Sequence, residues 1–181
     1  MRDYILHREK LMKVDHGDLT QCSATALRKA MRRVTQLYDD ALRPAGLTVT
    51  QYALMTEILR RGSNAPTVTE LADAMVMDRS GLGHTLRPLE RDGYVALVQH
   101  KEDGRQRGVV LTKSGRAMHR KATPLWQNAQ QRVVEVVGRD ERAELQMKLL
   151  AIAHDDRLTN SANSLRHPAR PQAARKAQTR S

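Results

Sequence analysis

The 181 residues carry 31 Lys and Arg against 20 Asp and Glu, giving a net charge of +11 and a pI near 10.4, a balance that favours a polyanionic partner. One cysteine excludes an internal disulfide framework and suits a reducing compartment. No apolar run is long enough to span a bilayer, and Ile5-Leu6 is followed at once by His7-Arg8-Glu9-Lys10, which leaves no apolar core for a signal peptide. The expectation is a soluble, cytoplasmic protein with no membrane partner.

The length allows one compact domain with material left over. Residues 1–18 read as an N-terminal extension of mixed charge. From about Leu19 to Leu42, Leu27, Ala30, Met31, Val34, Leu37, Tyr38 and Ala41 recur at three- and four-residue steps and predict a long helix with one apolar stripe. Arg43-Pro44-Ala45-Gly46 breaks it. Thr48 and Gln51 form a capping box that opens a helix holding Tyr52, Leu54, Met55, Ile58 and Leu59, which Gly62 ends.

A second capping box, Thr67 with Glu70, opens a short helix with Leu71, Ala74 and Met75 on its buried face. Val76 and Met77 make a turn, and Asp78 caps the next helix, which runs to about Asp92. Leu82, Leu86 and Leu89 are its inward stripe, and Pro88 should bend it. Arg79 stands at its start, and Ser80, Gly81, Gly83, His84, Arg87 and Arg91 point outward. Small polar groups, a histidine and arginines suit a major groove, where hydroxyls reach phosphates or base edges and arginine pairs with guanine. The two glycines weaken the helix but allow a partner surface to come close. Gly93 ends the helix. Tyr94 to Gln99 and Val109 to Leu111 read as strands joined through Asp103-Gly104, a hairpin-turn signal, and the tip carries Lys101, Arg105 and Arg107. Capped helix, turn, capped helix and basic hairpin, in that order, predict a winged helix-turn-helix whose wing lies in the minor groove.

Beyond the wing, Thr112 starts a second long helix striped with Met118, Ala122, Leu125, Ala129, Val133, Val136 and Val137, with a kink or restart expected at Pro124. Gly138 stops it, and Asp140 is read as the cap of a last helix with Leu145, Leu149 and Ile152 in its seam. Long terminal helices cannot bury their apolar faces on one small winged domain, so a second copy related by two-fold symmetry is expected. Residues 159–181 read as a disordered basic tail: from Arg157 onward there are six basic side chains and no acidic one, so +5 of the charge belongs to the first 156 residues.

The stretches LADAM, MDRSGLGHTLRPLERDGYV and Asp103-x-Arg105, followed by Val109-x-Leu111-Thr112-x-x-Gly115, resemble the MarR family of bacterial transcription regulators over roughly Leu19 to Leu158. The resemblance implies a mainly α fold with a small β-hairpin wing and a winged helix-turn-helix at about 48–112. It implies N- and C-terminal helices (about 19–42 and 113–158) interlocked into a homodimer above two winged heads. By the same resemblance Arg105 enters the minor groove and Asp103 helps hold the wing. Relatives often carry threonines at Gly81 and Gly83, and an arginine at His84.

The family's regulators are usually released from DNA by a small, often aromatic or phenolic, effector between the dimer helices and the heads. The candidate lining is Tyr38, Tyr52 and Trp126, in a chain with no Phe and one Trp. Other branches respond to cysteine oxidation. Cys22 stands near the first helix start, but the sensor cysteine of the hydroperoxide branch aligns with Ala24, and a lone cysteine also serves as a small apolar contact. The seven histidines are scattered without metal-ligand spacing, and no catalytic or cofactor-binding signature stands out, so no metal, cofactor or enzymatic activity is expected. Three readings remain. The first is a sequence-specific regulator, most often a repressor in this family, on an inverted-repeat double-stranded operator. The others are a non-specific nucleoid-type basic protein and a helical interaction scaffold.

Overall fold

The structure, a computed structural model, describes residues 22–62, 64–99 and 107–158. Helix α1 spans Ser23–Leu42 and gives way to a 3-10 turn, Arg43–Ala45. Helix α2 is Val49–Arg60, α3 is Val68–Ala74 and α4 is Arg79–Arg91. Strands β1 (Val95–Gln99) and β2 (Arg107–Leu111) follow, then α5 (Lys113–Val137), α6 (Arg139–Ala153) and a 3-10 turn at Asp156–Leu158.

Local chemistry sets most boundaries. At α2 the Thr48 hydroxyl accepts from the Gln51 amide, and the Gln51 side chain accepts from the Thr48 amide. Thr67 and Glu70 repeat the box at α3, and the Asp78 carboxylate accepts from the Gly81 amide at α4. Each bond satisfies an amide that the first helical turn leaves open, worth about 1 kcal/mol. Asp39 adds a bond from outside its own helix, its carboxylate accepting from the Val49 amide at 2.7 Å. Thr112 caps α5 through the Gly115 amide. Asp140 does not cap α6. The helix already includes Arg139, so the carboxylate lies within the first turn, where it complements the helix dipole.

The two strands pair antiparallel, Val95 opposite Leu111 through to Gln99 opposite Arg107. The Val109 amide also donates to the Pro66 carbonyl, and Thr67 bridges to Gly108, so the segment before α3 lines the far edge of β2. One core runs through the winged part: Leu54, Met55 and Ile58 of α2, Leu71 and Ala72 of α3, Leu82, Leu86 and Leu89 of α4, Val95, Val109 and Leu111 of the hairpin. In α3 the buried pair is Leu71 and Ala72, while Ala74 and Met75 are half-buried, because the short helix is covered mainly on the side of α2 and α4. Helix α4 runs unbroken through Pro88, and α5 runs unbroken through Pro124, so neither proline restarts its helix.

Two apolar stripes are less buried than their spacing predicts. On α1 only Tyr38 and Leu42 are buried; Leu27, Ala30 and Val34 are exposed and Met31 is 65% exposed. On α5 Ala122 and Ala129 are buried, but Val136 is 87% exposed. Periodicity reports which side chains share a face and not whether one chain supplies the surface to cover it. The described residues from Asp140 to Leu158 belong to a separate unit, and within it Leu145, Leu149 and Ile152 of α6 are all exposed.

The turn between α3 and α4 is a Schellman motif. The Met77 amide donates to the Ala72 carbonyl and the Val76 amide to the Asp73 carbonyl. The left-handed position of that motif normally holds glycine, and here Val76 occupies it with φ of 51°. A β-branched residue in this region is strained, and Val76, 57% exposed, gains little burial in return. Val76→Gly is therefore expected to stabilise the protein by about 1 kcal/mol, read as a higher urea midpoint at unchanged slope. An unchanged or lower midpoint would refute the strain.

Candidate nucleic-acid interface

The inner face of α4 is fixed by Leu82, Leu86 and Leu89, all buried. That fixes the opposite face too, since successive side chains turn by about 100° around a helix. Ser80, His84, Arg87 and Arg91 are exposed there. Arg91 pairs with Asp92 at 2.9 Å, which ties the far end of the face to its own helix. Arg87 and His84 have no ion-pair partner among the described residues. Gly83 opens to solvent, with nothing within 4 Å of where a Cβ would stand. Gly81 is half-buried rather than fully outward: its Cβ would meet Asp78 Oδ1 and Met77 Cε at 3.5 Å. Its place beside the capping carboxylate explains this. Arg79 sits at the flank, where Nη2 donates to Thr69 Oγ1 of α3 at 2.8 Å.

Of the wing cations, Arg107 is exposed at the start of β2, opposite Gln99. Lys101, Asp103 and Arg105 lie outside the described residues. The wing root is firmly held. The Thr112 hydroxyl donates to the Gly93 carbonyl at 2.6 Å, Ser114 donates to the same oxygen at 2.7 Å, and the Thr112 amide donates to the Tyr94 carbonyl at 3.1 Å.

The three aromatic residues separated in sequence come together where α1, α2 and α5 meet. The Trp126 ring lies 5.8 Å from Tyr52 and 6.3 Å from Tyr38, centroid to centroid. Tyr38 Oη donates to Gln130 Oε1 at 2.7 Å. Sequence reasoning missed the fourth ring, His119, which stacks on Tyr52 at 4.8 Å with 6° between planes.

Two threonines complete a reciprocal clasp between α2 and α5. Thr56 donates its hydroxyl proton to the Tyr52 carbonyl one turn back, so it accepts from His119 Nε2 at 2.9 Å. Thr123 donates to the His119 carbonyl and accepts from Tyr52 Oη at 3.3 Å. The imidazole proton is thereby placed on Nε2. The signal was present in the sequence as a ring followed four residues later by threonine, once on each helix.

Burial holds the His119 pKa below its ordinary value, because the charged form loses hydration. The unfolded chain therefore binds a proton at higher pH than the folded one, and stability falls as pH drops below about 6.5 toward the folded value. The unfolding temperature of the parent chain is expected to drop more between about pH 7.5 and about pH 5.5 than that of His119→Gln, whose other titrating groups are the same. Equal drops would show that His119 does not titrate in this way. At the start of α1, hydrogen bonds from the Thr25 side chain and amide hold the half-buried Cys22 thiol below its ordinary value.

Among the described residues no helix is long and apolar enough to cross a membrane, and no group of three or more His, Cys, Asp or Glu is placed to hold a metal ion. A helix-turn-helix with a locked inner face, an open polar outer face and a two-stranded hairpin beside it defines a winged helix-turn-helix protein. Residues 45–106 match the model of the MarR family. The chain is 36% identical to the Mycobacterium tuberculosis transcriptional regulator MosR, solved in complex with DNA, over 73% of this chain and 97% of that one, with a TM-score of 0.61. It is 26% identical to the transcriptional repressor CouR, solved on a 23-mer DNA duplex, over 78% of this chain and 99% of that one, with a TM-score of 0.67. It is also 38% identical over 77 residues to the transcriptional activatory protein BadR of Rhodopseudomonas palustris, a match spanning 42% of this chain and 44% of that relative. The match thus spans less than half the length of that curated relative. This chain belongs to the MarR family of non-enzymatic transcription regulators.

Proposed function

We propose that the protein is a homodimeric, sequence-specific DNA-binding regulator of the cytoplasm that acts as a repressor and leaves its operator when a small effector binds. One observation carries the reading: Ser80, His84 and Arg87 stand exposed on a helix whose opposite face is locked by Leu82, Leu86 and Leu89, so the outward face is both free and rigidly aimed. Arg87 pairs with a guanine edge, Ser80 and His84 reach phosphate or base, and Arg107 follows the minor groove with Lys101 and Arg105 at the wing tip, held by Asp103. MosR and CouR, both solved on DNA, support the assignment.

The domain reading goes with it: an extension at 1–18, a regulator body at 19–158 and a basic tail at 159–181. A second copy covers the apolar side chains that one chain leaves exposed, Leu27, Met31 and Val34 on α1 and Leu145, Leu149 and Ile152 on α6. Two recognition helices then face half-sites of an inverted repeat about 10 base pairs apart. The effector is an aromatic molecule that stacks with Tyr38, Tyr52 and Trp126. The His119–Tyr52 clasp ties this aromatic cluster to α2, whose Leu54, Met55 and Ile58 pack in the same core as the recognition helix. A second release route is oxidation of Cys22, favoured by its lowered thiol pKa. In that case Cys22→Ser would abolish an oxidant-induced loss of DNA binding.

A nuclease footprint of the DNA upstream of the protein's own gene tests the reading. Two protected half-sites about one helical turn apart, with higher promoter activity when the protein is removed, are expected. Lower promoter activity on removal would make it an activator, the role of the relative BadR. Protection without boundaries on any fragment would leave the non-specific nucleoid-type function instead.

A further inference from the structure

The bond from Arg79 to Thr69 is a contact between the two helices of the helix-turn-helix that neither a capping rule nor the hydrophobic core explains. It joins the first turns of α3 and α4, the two helices of the motif. With Ser80, His84 and Arg87 centred on the outward face, Arg79 lies about a quarter-turn around α4, on the side of α3. A side chain at that flank is placed to meet the sugar-phosphate wall of a groove rather than the base edges on its floor. Arg79 has no carboxylate within ion-pair distance among the described residues, so none of these neutralises its charge.

The donor inventory completes the picture. Thr69 Oγ1 accepts from the guanidinium, which leaves the hydroxyl proton free to donate outward. A hydroxyl polarised by a cation is a stronger donor, and the guanidinium keeps further N–H groups for the same acceptor. We propose that Thr69 and Arg79 together hold one backbone phosphate of the DNA, so that α3 enters the interface through Thr69. This rests on the DNA-binding reading above. Thr69 thereby positions the arginine and shares its ligand. Phosphate contacts of this kind fix register on the duplex and carry no sequence information.

The test is a set of anisotropy titrations with the full chain, its Thr69→Val, Thr69→Ser, Arg79→Ala and Thr69→Val/Arg79→Ala variants, on operator and scrambled duplexes at two salt concentrations. Thr69→Val is expected to weaken binding about fivefold on both duplexes, as for one lost hydrogen bond, and Thr69→Ser to restore it. Arg79→Ala is expected to weaken both by roughly tenfold or more and to reduce the salt dependence by about one phosphate contact. In the Arg79→Ala background, Thr69→Val should add less than about twofold, because the hydroxyl no longer has its polarising partner. Unfolding temperatures within a few degrees of the parent would show that the loss is not misfolding. Unchanged binding by Thr69→Val, fully multiplicative losses in the double variant, or a loss confined to the operator would each overturn the clamp. Failure of the parent chain to bind either duplex would instead overturn the DNA-binding reading itself.

Discussion

Gly115→Ala is expected to destabilise the protein by about 3 kcal/mol, at the upper end of ordinary overpacking. A Cβ at Gly115 would stand 2.0 Å from the Tyr94 carbonyl oxygen and 2.8 Å from its carbon, both backbone atoms that cannot rotate away. Position 115 lies in the first turn of α5, where alanine would otherwise be favoured over glycine by about 1 kcal/mol. The sign of the change therefore separates close packing from helix propensity. Relief requires α5 to lift from the wing root, which strains the bonds that Thr112 and Ser114 make to the carbonyls of Gly93 and Tyr94. Because β1 begins at Val95, the wing should shift with it, and DNA affinity should fall along with the urea midpoint. A midpoint equal to or above the parent's would mean that the close approach is absent in solution.

Leu82→Ala is expected to cost about 3 kcal/mol, within the range for emptying a fully buried leucine site. Leu82 is 0% exposed, and it is the first of the three leucines that press α4 onto the core. Removing three carbons there leaves a cavity bounded by backbone-fixed elements, so collapse can recover only part of the loss. The nearest outward neighbours are Ser80 and His84, so operator affinity should fall more steeply than affinity for a scrambled duplex. A loss below about 1 kcal/mol would indicate a recognition helix that is loosely seated and not rigidly aimed.

What could be read from the sequence follows the range of the forces involved. Thr48 with Gln51, Thr67 with Glu70, and Asp78 are bonds that close within three residues, so each was visible as a pattern and each forms. Leu82, Leu86 and Leu89 were equally visible, because one face of an amphipathic helix needs no knowledge of its partner. Burial along α1 was not, since periodicity does not say what covers Leu27, Met31 and Val34, which the described residues leave exposed. Tyr38, Tyr52 and Trp126 could be named only as scarce rings. Their meeting, and the role of His119, Thr56, Thr123 and Gln130, rests on contacts 63 to 92 residues apart in the chain. Thr69 and Arg79 are ten residues apart with a turn between them, and it takes the folded motif to bring them into contact. Gly115 was visible as part of a motif, but the carbonyl that forbids a side chain there was not.

The central claim is choice among DNA sequences, and fluorescence anisotropy at about physiological salt measures it directly. The duplex upstream of the protein's own gene would be titrated beside a scrambled duplex of equal length. A preference of roughly a thousandfold or more for the first, persisting as salt is raised, is the expected result. Equal affinities that collapse together with salt, there and at other candidate promoters, would contradict it and leave the recognition helix and wing as a merely electrostatic surface.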